Sequence, residues 1–330
     1  MKNFFRTTVS MLSLGLLGGS QTAGAATDHD MDMKVIMRMM SYAIIPNITY
    51  RTVDGWEGKL DVMAPRGLKA PNPTLIYFHG GGWVTGSKEE RLPLVFPYML
   101  MGWTIINVEY RLSNIAPAPA AVEDARCALR WVYKNANQAL QTSSGPVPLN
   151  IDLQRLVTSG TSAGGHLAMM VGMAPKSAGL DRNCRGDSSG GPNAVGPNNT
   201  DELKVAAIVD WFGISDVNDV LGAPNTKSLG GDWVGDKPNR DEIAKLVSPI
   251  TYVRAGVPPI ISVHGDADPG VPYAQKKRFH EELERAGVSH ELITIKGGGH
   301  GIFTETDYLK AYASIRAFLT QHNILTNEDH

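Results

Sequence analysis

Short apolar runs alternate along this chain with longer segments whose apolar residues recur on one face. The run TLIYF at residues 74–78 is almost wholly apolar, which is typical of a strand buried on both faces of a sheet. Residues 118–137 instead place Val122, Ala125 and Leu129 at helical spacing. The same patterns predict strands at residues 48–52, 58–63, 104–108, 155–159, 205–209, 260–263 and 291–295. They predict helices over residues 27–42, 273–286 and 307–322, and a further helix that begins near residue 163.

This alternation of strands and helices predicts an α/β fold, in which a mostly parallel sheet carries helices on both faces. Residues 46–330 contain no internal repeat and no linker, so they are expected to form one domain. Two segments interrupt the alternation. The polar residues 181–203 predict a surface loop, and residues 221–240 have no period. Irregular insertions of this length are often lids or binding loops, and plain surface elaboration is the alternative.

Residues 1–25 differ in composition from the rest of the chain. Two cations near the start precede an apolar stretch at residues 9–17, and Ala-Gly-Ala ends the segment. This order predicts a secretory signal cleaved after Ala25, and hence a soluble protein in the periplasm or outside the cell. A membrane anchor is the alternative, but the apolar run is shorter than the roughly 20 residues that span a bilayer. The next segment, residues 26–45, is rich in Met and predicts a short helix that packs on the core or caps a site.

The chain has two cysteines, Cys127 and Cys184. In an oxidising compartment they would form one disulfide between a helix and a glycine-rich loop, and the alternative is two thiols that never meet. Their spacing fits no zinc site, and we expect no metal or cofactor. With 31 basic and 33 acidic residues, the formal charge of −2 gives no reason to expect nucleic acid or an anionic membrane as a partner. The oligomeric state is left open.

The sequence GTSAG at residues 160–164 follows a predicted strand and precedes a predicted helix. A G-x-S-x-G turn in this setting is typical of a nucleophilic serine, because the strained turn lifts the Ser162 hydroxyl above the sheet. The N-terminus of the helix would then face a developing negative charge. A tight glycine-rich turn with a structural serine is the alternative.

The motif HGGGW at residues 79–83 follows the predicted strand TLIYF. Three consecutive glycines allow backbone amides to point into a cavity with no side chain in the way. The amides of Gly81 and Gly82, with that of Ala163, are expected to form an oxyanion hole. The histidine of the motif is interpreted as a residue that stabilises the loop. Trp83 either lines an acyl pocket or braces the loop.

Two further motifs, HGDADP at residues 264–269 and GGGHG at residues 297–301, each follow a predicted strand. A serine hydroxyl is a weak nucleophile, so it needs a base, and the base needs a carboxylate that orients it. His300 is the candidate base and Asp268 the candidate carboxylate, with Asp266 as the alternative. Serine, aspartate and histidine thus follow one another in the chain order that this arrangement requires.

Together, the four motifs resemble those of the hormone-sensitive-lipase-like esterases. The resemblance covers roughly residues 50–320 and extends to YRL at 110–112 and PAA at 119–121. It implies the α/β-hydrolase fold and a metal-free carboxylester hydrolase, with the catalytic domain in residues 46–330. The residue roles that it implies are those given above for the serine, histidine, aspartate and three amides.

The closest pattern is that of the bacterial branch that contains acetylxylan and feruloyl esterases. Residues 248–252 (SPITY) and the stretch from Pro258 onward are similar to that branch. The chain departs from the wider family at residues 113–115, where Ser-Asn-Ile stands in place of the Ala-Pro-Glu of many relatives. Its loop at residues 181–203 is also longer than usual. Both departures bear on the substrate more than on the chemistry.

The resulting hypothesis is a serine carboxylester hydrolase that forms an acyl-enzyme. Its expected substrates are short-chain esters or aromatic and acetylated carbohydrate esters. Trp83, Trp211 and Trp233 are candidates for an aromatic surface that binds such a substrate, and burial in the core is the alternative. Two other functions stay open: an amidase or arylformamidase on the same scaffold, and a non-catalytic binding protein with a hydrolase fold.

Overall fold

The computed structural model describes residues 28–90, 92–182, 184, 203–222 and 228–326. Within these residues the helices are α1 (Asp28–Met40), α2 (Phe96–Leu100), α3 (Ala120–Asn135), α4 (Ala163–Met173), α5 (Leu229–Val234), α6 (Arg240–Leu246), α7 (Tyr273–Arg285) and α8 (Glu305–Gln321). The strands are β1 (Tyr42–Val53), β2 (Trp56–Pro65), β3 (Asn72–Phe78), β4 (Thr104–Val108), β5 (Ala139–Thr142), β6 (Gly145–Pro148), β7 (Ile151–Thr161), β8 (Ala207–Trp211), β9 (Ile260–Gly265) and β10 (His290–Ile295).

Eight of the described strands form one sheet in the order β1-β2-β4-β3-β7-β8-β9-β10, and β5 and β6 form a separate hairpin. Strand β2 pairs antiparallel with β1 and β4. Every pair from β4 to β10 is parallel. The predicted mostly parallel sheet is therefore confirmed. Because the carboxyl ends of parallel strands meet at one edge, the loops that follow β3, β7, β9 and β10 meet there.

Strand β3 explains why this sheet needs continuous apolar runs. Leu75 and Tyr77 belong to one hydrophobic cluster, whereas Ile76 and Phe78 belong to another. Successive side chains of a strand point to opposite faces, so the two clusters lie on the two faces of the sheet. Helix α8 contributes to the first cluster, and α3 and α4 contribute to the second. A strand that is covered on both sides has no position that can remain polar without a partner.

Several short elements were absent from the sequence prediction: α2, the hairpin β5–β6, α5 and α6. Residues 221–240, predicted to be irregular, contain α5 and the start of α6, which corrects that prediction. Helix α5 has six residues, too few to show a helical period. It begins where the hydroxyl of Ser228 accepts a hydrogen bond from the amide of Gly231 at 3.0 Å, which is a side-chain N-cap.

Helix α1 lies in the Met-rich segment where a helix was predicted, and it contacts α2. Met39 packs on the core, whereas Met33, Met37 and Met40 are more than half exposed. No described residue of α1 lines the pocket at the carboxyl edge of the sheet. Within the described residues, this segment therefore does not cap that pocket.

The predicted signal at residues 1–25 and most of the loop at residues 181–203 lie outside the described residues. At the start of that loop, Cys184 forms a disulfide with Cys127 of α3. Two arginines of α3 lie within 3.5 Å of the carboxylate of Asp181. The start of the loop is thus attached to α3 by a covalent bond and by ion pairs. Of the helices described, none has the length and apolar character needed to cross a membrane.

Candidate active site

A pocket of about 250 Å³ opens at the carboxyl edge of the sheet. It brings together the HGGGW loop, the GTSAG turn and the loop that carries His300. The lining residues are Gly80, Gly81, Gly82, Thr85, Glu90, Thr161, Ser162, Phe212, Leu229 and His300. Motifs that are far apart in the sequence therefore share one cavity.

Ser162 occupies a strained turn between β7 and α4. Its φ of 54° and ψ of −120° lie outside the regions that a non-glycine residue usually adopts. Such a conformation costs roughly 1–3 kcal/mol and persists where the surrounding structure holds it. Here the amide of Ser162 donates to the carbonyl of Trp211 at 2.9 Å. A Cβ at Gly164 would overlap the carbonyl oxygen of Phe78, so this close approach requires glycine.

Ser162, His300 and Asp268 form one continuous chain of hydrogen bonds. Nε2 of His300 lies 2.8 Å from Oγ of Ser162, and Nδ1 of His300 lies 2.7 Å from Oδ2 of Asp268. A carboxylate only accepts, so Nδ1 carries the proton and donates to Asp268. Nε2 is then the acceptor for the serine hydroxyl, which is the arrangement a base needs.

The carboxylate of Asp268 is fully buried and richly hydrogen bonded. Its Oδ1 accepts from the amides of Gly270 and Val271, both at 2.8 Å. Its Oδ2 also lies 3.3 Å from Nε2 of His264. Burial raises the pKa of Asp268, but hydrogen bonds to His264, His300 and Val271 outweigh it and hold that pKa well below its usual value. Asp268 is therefore an anion at neutral pH.

Asp266, the alternative carboxylate, has a different partner. It accepts a hydrogen bond from the amide of Gly297 and so joins the loop after β9 to the loop after β10. It does not contact His300 in the described structure. The geometry therefore favours Asp268 as the carboxylate that orients the imidazole.

Glycines of the HGGGW loop line the pocket, and three residues of the loop adopt left-handed backbone angles. The φ angles are 114° at Gly81, 60° at Gly82 and 62° at Trp83. A Cβ at Gly81 would overlap the carbonyl of Thr85. In the described part of the chain, neither of the two glycine amides donates to a backbone carbonyl. Ala163 begins α4, so its amide has no partner within the helix.

The side chain of His79 is buried inside this loop. Its Nδ1 lies 2.7 Å from the carbonyl oxygen of Gly80, and its ring stacks on Tyr110 at 4.2 Å. The hydroxyl of Tyr110 donates to the carbonyl of His79 at 2.9 Å. These contacts hold the backbone of the loop at His79 and Gly80.

The predicted aromatic surface of Trp83, Trp211 and Trp233 is wrong. Each indole is at most 1% exposed, and none lines the pocket. Trp83 stacks on Trp233 at 4.2 Å, and Trp211 packs beside Tyr312 at 5.1 Å. Large aromatic side chains gain the most from burial, and here that gain places all three in the interior.

Four lining residues outside the motifs were missed by the sequence analysis: Thr85, Glu90, Phe212 and Leu229. Phe212 directly follows β8, and its ring meets that of His300 edge-on at 5.0 Å. Its place after a parallel strand is the same signal that identified the four motifs. Leu229 is the first residue of α5, in a segment without period, and no sequence signal indicated it.

In the described residues, no group of three or more His, Cys, Asp and Glu side chains is arranged to hold a metal ion. Glu90 and His300 are the lining residues with ionisable side chains. The chemistry that this arrangement can perform is transfer of a proton from serine to imidazole beside a set of amide donors.

The chain is similar to known esterases. It is 28% identical over 247 residues to esterase LipQ of Mycobacterium tuberculosis, a match that covers 71% of this chain and 52% of that protein. It is 31% identical over 137 residues to carboxylesterase NlhH of the same species, with 40% of each chain covered. The chain thus spans about half, or less, of the length of these relatives.

Solved structures resemble the fold over most of its length. Esterase 2 of Thermogutta terrifontis, phosphorylated by paraoxon, is 26% identical with a TM-score of 0.66. That match covers 87% of this chain and 96% of the other. The propionate-bound form of the same esterase is 27% identical with a TM-score of 0.65, covering 87% and 97%.

Two family models match the chain. The model described as BD-FAE matches residues 60–283, and the model described as TAP-like protein matches residues 243–327. With the esterase relatives and structures, these matches confirm the predicted α/β-hydrolase fold and the resemblance to hormone-sensitive-lipase-like esterases. The BD-FAE model matches more than half of this chain. The chain therefore belongs to the BD-FAE family.

Proposed function

We propose that this chain is a serine carboxylester hydrolase. The observation that carries the proposal is the hydrogen-bonded chain of Ser162, His300 and Asp268, which ends in a pocket beside the amides of Gly81 and Gly82. The serine hydroxyl, the base and the oxyanion donors are the three parts that acyl transfer requires.

In the first half of the reaction, Oγ of Ser162 attacks the carbonyl carbon of the ester while Nε2 of His300 takes the hydroxyl proton. The carbonyl oxygen becomes an oxyanion that accepts hydrogen bonds from the amides of Gly81, Gly82 and Ala163. Asp268 stabilises the positive charge on the imidazole. When the intermediate collapses, the bond to the leaving oxygen breaks and the imidazolium gives its proton to the alcohol.

In the second half, water takes the place of the alcohol. His300 removes a proton from the water as its oxygen attacks the acyl carbon. The same amides hold the second oxyanion. Collapse breaks the bond to Oγ, returns the proton to Ser162 and releases the carboxylic acid. The active site is then in its starting state.

The pocket supports a short or compact acyl group. Its volume of about 250 Å³ is below the range of roughly 300–1,000 Å³ that is usual for drug-sized ligands. Phe212 and Leu229 provide apolar walls, whereas Thr85, Thr161 and Glu90 add polar ones. This mixture suits short-chain esters and acetyl or aromatic acyl groups on carbohydrates. Export through the signal at residues 1–25 would bring the enzyme to extracellular esters of this kind.

The comparisons support the chemistry. The relatives named above are esterases, and the similar esterase of Thermogutta terrifontis has been captured phosphorylated by paraoxon and bound to propionate. By analogy, Oγ of Ser162 is proposed as the atom that paraoxon phosphorylates in this chain.

The test is a substrate panel on the purified protein: p-nitrophenyl acetate, butyrate and octanoate, methyl ferulate, and a matched aryl amide. We expect hydrolysis of the short esters and of methyl ferulate, with little action on the amide. Paraoxon should add one phosphoryl group to Ser162 by peptide mass spectrometry. Ser162→Ala should lose both properties while keeping the thermal unfolding of the parent. A protein that neither hydrolyses the esters nor reacts with paraoxon would contradict the proposal.

Export is tested separately. When the full chain is produced with its own N-terminus in a bacterium, the secreted or periplasmic fraction should contain a protein that begins at Ala26. A cytoplasmic protein that still begins at Met1 would contradict the predicted signal.

A further inference from the structure

Two of the buried indoles, Trp83 and Trp233, surround the imidazole of His166. This histidine lies on α4, one helical turn after Ser162, and is fully buried. Its ring meets Trp83 edge-on at 4.9 Å and Trp233 at 5.4 Å. Because His166 does not line the pocket, the mechanism above assigns it no part.

The hydrogen bonds of His166 define its tautomer. Nε1 of Trp83 lies 3.2 Å from Nδ1 of His166, and an indole nitrogen can only donate. Nδ1 is therefore the acceptor, and Nε2 carries the proton, which it donates to the carbonyl of Val247 at 2.6 Å. Burial lowers the pKa of His166 to about 4, so the ring is neutral at pH 7 and the contact with Trp83 is kept.

Trp83 in turn fixes the backbone of the oxyanion loop. It follows Gly82 directly, its ring stacks on Trp233, and its carbonyl accepts from the amide of Ser113 at 2.8 Å. Gly81 and Gly82 have no side chains with which to hold their own orientation. The amides of Val84 and Thr85 hold the carbonyl of Gly81, and the direction of the two glycine amides depends further on the residue that follows them.

We propose that His166 is a positioning residue for the oxyanion hole: it anchors the indole of Trp83 and so keeps the amides of Gly81 and Gly82 directed at the substrate oxygen. Ser162 directly precedes the same helix, so His166 ties the donors of the oxyanion hole to the helix that follows the nucleophile. This inference rests on the ester hydrolysis proposed above. A misplacement of about 1 Å at such a site is worth roughly 100-fold in rate.

Two substitutions separate the two hydrogen bonds of His166. Asparagine can place an oxygen near the position of Nδ1 and keep the acceptor for Trp83, whereas glutamine can place a donor near the position of Nε2. With p-nitrophenyl acetate, His166→Gln should lower kcat about 10- to 100-fold while KM changes less than about threefold. His166→Asn should recover most of that loss. His280→Gln is the matched control, because His280 is also buried but lies on α7 and does not line the pocket. The kcat of this variant should stay at the parent value.

A second variant approaches the contact from the other side. Trp83→Phe keeps an aromatic ring for stacking but removes the N–H donor. Its kcat should fall about as far as that of His166→Gln, and the double variant should be no slower than either single one, because both remove the same bond. The rate of phosphorylation by paraoxon should fall in parallel, since that step also develops charge on an oxygen held by the amides.

Parent-like kcat in His166→Gln, or a change in KM alone, would overturn the positioning role. Equal losses in His166→Asn and His166→Gln, matched by lower unfolding temperatures, would assign the residue to stability and overturn it as well. If the parent protein itself fails to hydrolyse esters or react with paraoxon, the proposed function falls together with this inference. An active parent with unaffected variants removes the inference alone.

Discussion

Leu229 lies directly over Gly82, so that a Cβ on the glycine would be 2.5 Å from Cδ1 of the leucine. The leucine is 54% exposed and lines the pocket. It is also the first residue of the short helix α5. One side chain therefore forms part of the pocket wall next to the proposed oxyanion donors, and it limits the space available to an acyl group.

Leu229→Ala should shift the enzyme toward longer acyl chains. Removal of the side chain opens the wall, and a change of a few methylenes in an apolar pocket is worth about tenfold or more in selectivity. We expect the ratio of kcat/KM for octanoyl over acetyl p-nitrophenyl esters to rise about tenfold. Leu309→Ala is the control, since Leu309 is a leucine of similar exposure, 65%, outside the pocket. An unchanged ratio would show that another part of the chain limits the acyl group.

Replacement of the two neighbouring carboxylates should have very different effects on catalysis. Asp268→Asn removes the charge that orients and stabilises the His300 imidazole, and we expect kcat to fall by about 10⁴. Asp266→Asn removes a hydrogen bond that braces the loop, and we expect kcat to fall less than about tenfold. Both rates are measured on p-nitrophenyl acetate with thermal unfolding as a check on folding. The opposite ranking would make Asp266 the functional carboxylate.

Lys276 and Asp210 form an ion pair in which neither side chain is exposed to solvent. Removing one partner leaves the other charge buried alone, so Lys276→Met should lower the free energy of unfolding by about 3–5 kcal/mol. The double variant with Asp210→Asn should be more stable than the sum of the single losses predicts. Urea unfolding measures each value.

The control for this prediction is Arg285→Met. Arg285 is 60% exposed and pairs with Glu282 on the surface of α7. Exposed ion pairs contribute at most about 1 kcal/mol, so this substitution should change stability little. Equal losses of unfolding free energy in Lys276→Met and Arg285→Met would contradict the prediction that burial makes the loss of an ion-pair partner costly.

Two buried histidines should make the folded protein sensitive to acid. Burial lowers the pKa of His166 to about 4 and that of His280 to about 3, from 6.5 for an exposed imidazole. Between those values and pH 6.5, the unfolded chain binds protons that the folded chain does not. The contribution of these two histidines to the free energy of unfolding is therefore fully present above pH 6.5, and it declines as the pH falls below that value.

The share of His166 in this loss should be roughly 3 kcal/mol at pH 4. His166→Asn has no proton to gain, so its unfolding free energy, measured in urea at pH 7 and pH 4.5, should depend less on pH than that of the parent. Leu167→Ala, a fully buried neighbour on the same helix, should lower stability equally at both pH values. The same pH dependence in His166→Asn and the parent would contradict the prediction.

The sequence was sufficient for features that follow from local rules. Continuous apolar runs predicted the buried strands, and the glycines around Ser162 predicted a tight turn after β7. Because parallel strands place their carboxyl ends at one edge, motifs that follow such strands could be expected to meet. That reasoning brought Ser162, His300 and the turn that carries both Asp266 and Asp268 to one edge of the sheet.

Phe212 follows a strand in the same way and could have been included by the same rule. Leu229 could not, because a six-residue helix has no period and its place over Gly82 depends on how α5 packs. The choice between Asp266 and Asp268 also lay beyond the pattern. The two residues stand on one turn, and their side chains leave it in different directions.

The chain by itself therefore determined the order of strands and helices, the fold class and the set of reactive side chains, since these depend on neighbours close in sequence. Tertiary packing alone decided which tryptophans were buried, which walls the pocket has and which residue supports Trp83. The partner of that indole, His166, is 83 positions away in the chain. Contacts at such separation depend on how whole helices and loops fit together, and no local pattern of residues encodes them.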